Sequence, residues 1–355
     1  MANSLHKNTE KTQEETPSAW IMAEDFVFGN FLGLPEKTDS VDIAILQVPY
    51  ELTTSYGQGT ALGPEACIEA STQVELFDSD LGEDLPGNQS IFTAKPWDGE
   101  GSTLLLQLDG ISNYLSPWFH GDCFPLVLGG EHGILPPLVN ACRNHKLVNN
   151  DLSNLTIVQI DAHADLRSEL GGEKFSHACA AARSLELGIK ELFQAGIRAY
   201  SKEENEIIQS DTRITTFFAR DTQNSNGGKV WSQWLEQLDN ISGPVHLTID
   251  IDGLDGVLVP ATGTPVPGGL TFWQVVETIT TLFNSKTATV VSADINEIVP
   301  QEDTPLTQFT AAMLAAKVVA SQIISKREGR WQPHSKQQGK IRQPGIGNYF
   351  SSQSS

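Results

Sequence analysis

Between about residue 42 and residue 324 the chain alternates short runs of β-branched and aliphatic residues with longer stretches of helical spacing. Residues 42–48 (DIAILQV), 124–128 (FPLVL), 155–160 (LTIVQI), 192–198, 245–251 and 289–293 have the length and composition of strands. Residues 64–76, 132–144, 177–187, 230–238, 271–283 and 304–324 read as helices, the first opened by Pro64. In 230–238, Trp231, Trp234, Leu235 and Leu238 share one face. A helix after each strand carries the chain back to the starting edge, so consecutive strands run parallel and helices cover both faces of the sheet. This pattern predicts an α/β fold around a mainly parallel sheet. In such sheets ligands bind beyond the carboxyl ends of the strands. A chemical motif therefore gains weight when it sits at a strand end.

A length of 355 residues would suggest about two domains, but no Pro/Ser-rich linker divides the centre. One domain is expected over residues 19–325. Residues 1–18 form a polar lead expected to be disordered, since it holds too little apolar area to offset ordering entropy. Residues 326–355 turn polar and basic, with Lys326, Arg327, Arg330, Lys336, Lys340 and Arg342, and are expected to be a mobile, solvated tail. With 23 Lys and Arg against 44 Asp and Glu, the net charge is −21. That field disfavours nucleic acid and anionic membranes and admits a cationic ligand. There is no run of 18 apolar residues to span a bilayer and no secretory signal at the start, so a cytoplasmic location is expected. Cys67, Cys123, Cys142 and Cys179 contain no CxxC pair and read as reduced core thiols.

Three motifs follow predicted strands. The first is Asp161-Ala-His163-Ala-Asp165 after 155–160. In extended chain its alternate side chains face one way, and two carboxylates with an imidazole suit Mn, Fe, Co, Ni or Zn better than Ca or Mg. The second is Asp250-Ile-Asp252, continuing to Asp255, at the end of 245–251. Two carboxylates buried there would keep one proton between them unless a cation joined them. The third is Gly129-Gly130-Glu131-His132-Gly133 after 124–128, where glycines admit close backbone approach and His132 opens a helix. Taken singly, each also reads as a capping or solvated polar loop. Together they supply about the ligand number that two metal ions need. Gly57 to Gly63 lacks the GK[ST] of a phosphate loop, and Cys179 in an Ala-rich stretch reads as a packing residue.

GGEHG at 129–133, DAHAD at 161–165, DIDGLD at 250–255 and DINE at 294–297 resemble, in order and spacing, the signature segments of the ureohydrolases (arginases, agmatinases and relatives). The resemblance spans about residues 40–325 and includes PYELTTSY at 49–56 with the following GQGTALGPEA. It implies a three-layer α/β/α sandwich and a pair of divalent ions, most often Mn2+, with Ni2+, Fe2+ or Co2+ in some members. By motif, one ion would be held by His132, Asp161, Asp165 and Asp250. The other would be held by Asp161, His163, Asp250 and Asp252. The implied reaction adds activated water to a guanidinium carbon and releases urea and an amine. Asp165 would move the proton, His177 would shuttle protons or support substrate, and Glu297 would pair with the guanidinium. The family also implies a homo-oligomer, trimer or hexamer.

Residues 165–179 (DLRSELGGEKFSHAC) resemble agmatinases and lack the Thr/Ser/Asn-rich loop with which arginases hold an amino-acid head group. Agmatine, cleaved to putrescine and urea, is the substrate this implies. The sequence departs from the family at Gly133, where Ser is common, at Gly256, where Pro often stands, and at Val266, where many agmatinases carry Glu. Free guanidine and guanidinobutyrate are the alternatives. A catalytically silent ligand-binding relative is the reading from another class.

Overall fold

The computed structural model describes residues 26–36, 40–99, 101–332 and 349–353. The polar lead at 1–18, and Lys336, Lys340 and Arg342 of the tail, lie outside the described residues. The strands are β1 (Ile43–Val48), β2 (Phe77–Asp78), β3 (Glu83–Asp84), β4 (Ile91–Thr93), β5 (Phe124–Gly129), β6 (Thr156–Ile160), β7 (Glu191–Ile197), β8 (Ile214–Phe218), β9 (Gly243–Asp250) and β10 (Ala288–Asn296). The helices are α1 (Gly63–Ser71), α2 (Leu104–Leu115), α3 (Leu135–Cys142), α4 (Ala180–Glu186), α5 (Lys202–Ser210), α6 (Ala219–Gln223), α7 (Gly227–Asn240), α8 (Phe272–Asn284) and α9 (Leu306–Arg327).

β2 and β3 form a small antiparallel ribbon. The other eight strands make one sheet in the order β4-β1-β5-β10-β9-β6-β7-β8, with every pairing parallel. After β5 the chain skips across the sheet, lays down β6, β7 and β8 to the far edge, and returns to insert β10 and β9 between β5 and β6. This reversal brings the carboxyl ends of four central strands side by side, where an α/β sheet opens its binding crevice.

Two apolar layers cover the sheet. On one face Ile45, Leu126, Val158, Leu247 and Ile295 pack with Trp234, Val275, Ile279, Ala312 and Val319 of α7, α8 and α9. On the other, Leu46, Val127, Ile157 and Leu192 meet Leu108, Ile111, Leu138 and Ala181 of α2, α3 and α4. Trp234 is fully buried and its Nε1–H donates to Thr278 at 2.9 Å, so its truncation to Ala should cost about 3–5 kcal/mol. The fold is thus a three-layer α/β/α sandwich. α9 satisfies the length and composition of a membrane span, yet 78% of that window is buried inside the protein, as befits a core helix.

Two expectations shift. The helix opened by Pro64 ends at Ser71, whose hydroxyl turns back to Ile68 O and accepts Leu32 N–H, so 72–76 turn away towards the ribbon. The tail expected from residue 326 is not all solvated charge. Lys326 and Arg327 complete α9, with Lys326 Nζ 2.6 Å from Asp42 Oδ1 and Arg327 paired with Glu83. Farther on, Phe350 is 1% exposed, takes Asp109 Oδ1 as acceptor for its N–H, and meets the Phe175 ring edge-on. Helix propagation and three acidic partners, Asp42, Glu83 and the buried Asp109, hold residues that composition alone assigns to solvent.

Candidate metal centre

Along β9 and β10 the apolar side chains Val245, Leu247, Ile249, Ala293 and Ile295 enter one core layer. The alternate positions His246, Thr248, Asp250, Ser292, Asp294 and Asn296 are buried polar groups instead. A stripe of buried polar groups costs stability unless its members bond one another or hold a ligand. Gln159 and Gln194 extend the stripe onto β6 and β7, where Gln194 Nε2 donates to Gln159 Oε1 and Gln159 Nε2 donates to Asp161 Oδ2. This polar stripe leads to the strand ends and carries the site.

His132 follows β5 in a short 3₁₀ turn. The two glycines before it are required by space, because a Cβ on Gly130 would collide with the Tyr50 carbonyl. Asp161 follows β6, Asp250 ends β9, and Asp252 lies in the 3₁₀ turn after it. The segment from Asp161 to Asp165 was expected to be extended, but it is an irregular loop. Asp165 sits at φ +54°, and its carbonyl is tied to Ala182 N. The loop still converges, because Asp161 Oδ1 accepts His163 N–H and Asp252 Oδ1 accepts Ala162 N–H.

His132 Nδ1 lies 2.9 Å from Asp165 Oδ2, 3.1 Å from Asp161 Oδ2 and 3.7 Å from Asp250 Oδ2. None of these oxygens is aligned for a hydrogen bond with it, although the atom is buried. Close but misaligned donors and acceptors are what ligand atoms look like when they point at a common centre. His163 Nδ1 is 3.0 Å from Asp252 Oδ2 and 3.6 Å from Asp161 Oδ1. Two ligand-capable groups result, His132/Asp161/Asp165 and Asp161/His163/Asp252, which share Asp161. Asp250, paired by motif with both ions, stands at the rim of the first group and accepts Asp252 N–H through Oδ1.

The electrostatics explain why a cation fits. Burial and the Asp161 charge push the Asp165 carboxyl up to about 7. Burial, then Asp252 and Asp161, hold Asp250 well above the carboxylate range. Burial opposes a charge on His163, but Asp252 and Asp161 outweigh it and raise it to about 11. For His132 burial likewise loses to Asp161 and Asp165, so its proton is held tightly. Carboxylates that burial and like charge push towards the protonated form are groups that a divalent cation would serve all at once. The mixed N/O donor set suits Mn, Fe, Co, Ni or Zn.

Glu297 and His177 complete the constellation. Glu297 follows β10 at φ +64°, and one of its oxygens accepts His132 N–H at 2.7 Å. A Cβ on Gly263 would come within 3.0 Å of the other oxygen. Non-glycine residues at positive φ carry strain, and Asp165 and Glu297 are both of this kind. His177 lines a cavity of about 180 Å³ together with His163, Asp165, Arg167, Ser55 and Thr264. Burial lowers its pKa, which favours the neutral imidazole. A larger groove of about 460 Å³ bordered by Phe77, Trp273 and Met313 carries none of these residues.

Sequence reasoning missed three supports. Thr248 bridges His132 and Asp294, the Glu131 carboxylate ties down the loop at 52–53, and Arg198 donates to the carbonyls of Asp252, Gly253, Leu254 and Val266. Glu131 lies within the GGEHG segment and Arg198 at the end of the strand run 192–198, but nothing in their spacing announces these partners. Cys179 is buried with its thiol pushed up to about 11 by burial, consistent with packing rather than nucleophilic use.

The arginase family model matches residues 41–324 of the chain. The N(1)-aminopropylagmatine ureohydrolase of Synechocystis is 33% identical over 78% of the chain and 88% of the relative. The agmatinase of Pyrococcus horikoshii is 32% identical over 78% of the chain and 91% of the relative. The solved agmatine ureohydrolase of Thermoplasma volcanium superposes with a TM-score of 0.71 at 26% identity, covering 86% of this chain and 98% of its own.

Proposed function

Because the chain belongs to the arginase family and is a hydrolase of amidino C–N bonds, we propose that it uses two divalent metal ions to cleave agmatine into putrescine and urea. The observation that carries this is the convergence of His132, Asp161, His163, Asp165 and Asp252 at the ends of the central parallel strands, with Asp250 beside them and Glu297 bonded to the backbone of His132. When bound, the metal pair, Mn2+ in the first instance, supplies the Lewis acidity that makes water nucleophilic at neutral pH.

The protein's own groups do the rest. Glu297 keeps one oxygen on His132 N–H and offers the other to the planar guanidinium, fixing the carbon beside the cluster. Asp165, 2.9 Å from His132 in the cluster, takes a proton from water as the C–O bond forms. It returns that proton to the departing nitrogen as the C–N bond breaks, and the hydroxyl proton left on the carbon passes to the freed amine, giving urea and an ammonium. His177 faces the same cavity and supports proton movement on the amine side.

Agmatine is favoured because residues 166–176 bring no cluster of Thr and Asn donors to receive an amino-acid head group. Free guanidine or guanidinobutyrate is the second reading, supported by the small cavity and by Val266 in place of the family's Glu. We place the enzyme in the cytoplasm as a homo-oligomer. The deciding experiment is urea release from agmatine, N1-aminopropylagmatine, arginine, guanidine and guanidinobutyrate, with chelated and Mn2+- or Ni2+-loaded protein. Metal-dependent turnover of agmatine supports the proposal. Failure on every compound with metal bound would leave the silent relative.

A further inference from the structure

Glu131 is wholly buried beside His132, yet it lies in neither ligand-capable group and has no part in the steps above. Its Oε2 accepts the N–H groups of Leu52 and Thr53 at 2.7 and 2.6 Å, and its Oε1 receives the Thr53 hydroxyl at 2.6 Å. Thr53 Oγ1 also accepts the backbone N–H of His177 at 2.9 Å and stands 3.2 Å from His177 Nδ1. A hydroxyl has a single proton. Here it goes to Glu131, so towards His177 the oxygen offers only lone pairs. Nδ1 must then carry the ring hydrogen, and the lone pair is left on Nε2. Ser176 Oγ is the other group near Nδ1, at 3.4 Å, and its hydroxyl already accepts Ala178 N–H; the Thr53 contact is the shorter of the two.

We propose that Glu131 and Thr53 are positioning residues: their hydrogen-bond relay fixes His177 as the Nδ1–H tautomer and presents an unprotonated Nε2 to the cavity. The relay is built from three separate parts of the chain: the loop after β1, the turn after β5 and the turn before α4. Both oxygens of one buried carboxylate thus hold the 52–53 backbone and the hydroxyl that orients the imidazole. A neutral imidazole aimed by a neighbour is prepared to accept a proton at a single defined atom. The kinetic consequence rests on the hydrolase reading, whereas the tautomer itself does not.

The test has an arm for each. In 15N-histidine-labelled protein saturated with diamagnetic Zn2+, two-bond 1H–15N correlations report the His177 tautomer, assigned by loss of its signals in His177→Asn. Nδ1–H is expected in the wild type, and an Nε2–H tautomer there would overturn the proposal whether or not any substrate is turned over. Thr53→Val should mix the tautomers and lower kcat about 10- to 100-fold, the scale of misplaced proton transfer. KM should stay within about threefold in Thr53→Val, with metal content and Tm near wild type, and Thr53→Ser should recover most of kcat by restoring the hydroxyl. Wild-type kcat in a folded Thr53→Val protein, or equal loss in Thr53→Ser, would also overturn it. If the wild type cleaves no guanidino compound, the functional reading fails while the tautomer signal still decides this inference.

Discussion

His132 gives its Nε2–H to the Thr248 hydroxyl at 2.9 Å, because that hydroxyl spends its own proton on Asp294 at 2.9 Å. In the neutral imidazole that a metal ligand must be, the lone pair is thereby turned to Nδ1, the atom that faces Asp161 and Asp165. An imidazole whose far nitrogen is bonded in this way is held in the tautomer that a metal requires. Thr248→Val keeps the shape and removes the relay. Its affinity for Mn2+, measured by calorimetric titration, should fall about 10- to 100-fold. An unchanged affinity would show that Thr248 has no hold on the ligand.

Glu297 tests substrate orientation. Glu297→Gln retains an acceptor for His132 N–H and lies outside both ligand-capable groups, so metal content should be preserved. Losing the charge opposite a guanidinium in a dry cleft should cost about 2–5 kcal/mol, or roughly thirty- to several-thousand-fold in kcat/KM. Metal analysis alongside steady-state kinetics checks it. Near-wild-type turnover with metal intact removes Glu297 from substrate binding, and lost metal reassigns it as a ligand.

For Cys179 the prediction is mild. Its thiol is buried, with Sγ 3.9 Å from the Glu173 carbonyl, so Cys179→Ala leaves a small void and should lower stability by about 1 kcal/mol. Turnover should be retained. A loss of several orders of magnitude would revive a thiol-nucleophile mechanism.

The metal-free protein should show an unusual pH dependence. Asp165 is raised by burial from an ordinary 3.8 to about 7, so the folded state holds its proton more tightly than the unfolded chain. The stability this gives is complete below about pH 4 and is lost as pH rises through 7. Asp250, raised by burial and its neighbours, acts in the same sense. His163, raised to about 11, adds a further loss above its ordinary 6.5. Asp161 is held below its usual range by His132 and His163 despite burial, so its contribution is lost only under stronger acid. Chelated protein should therefore melt lower at pH 7.5 than at pH 5, and saturating metal should abolish or reverse that slope. Equal slopes with and without metal would detach the cluster from the ion.

The strand–helix alternation and the motifs at residues 129–133, 161–165, 250–255 and 294–297 were legible along the chain because each is local. Strand runs such as LTIVQI announce burial on both faces, and a carboxylate two residues from another announces a conflict that needs a cation. The family and its chemistry follow from those segments. Local pattern could not supply the strand order, which places β10 and β9 between β5 and β6 and so sets residues far apart in sequence around one crevice. Nor could it supply the left-handed turn at Asp165, the buried Thr248–Asp294 relay, or the bond from Thr53 to His177 across more than a hundred residues. It also gave no sign that Phe350 would leave a polar tail to pack against Phe175. Side-chain type and spacing specify which groups are available and which strand ends carry them. Where a hydrogen bond points, and so which nitrogen keeps its proton, depends on neighbours that only the folded backbone brings into range.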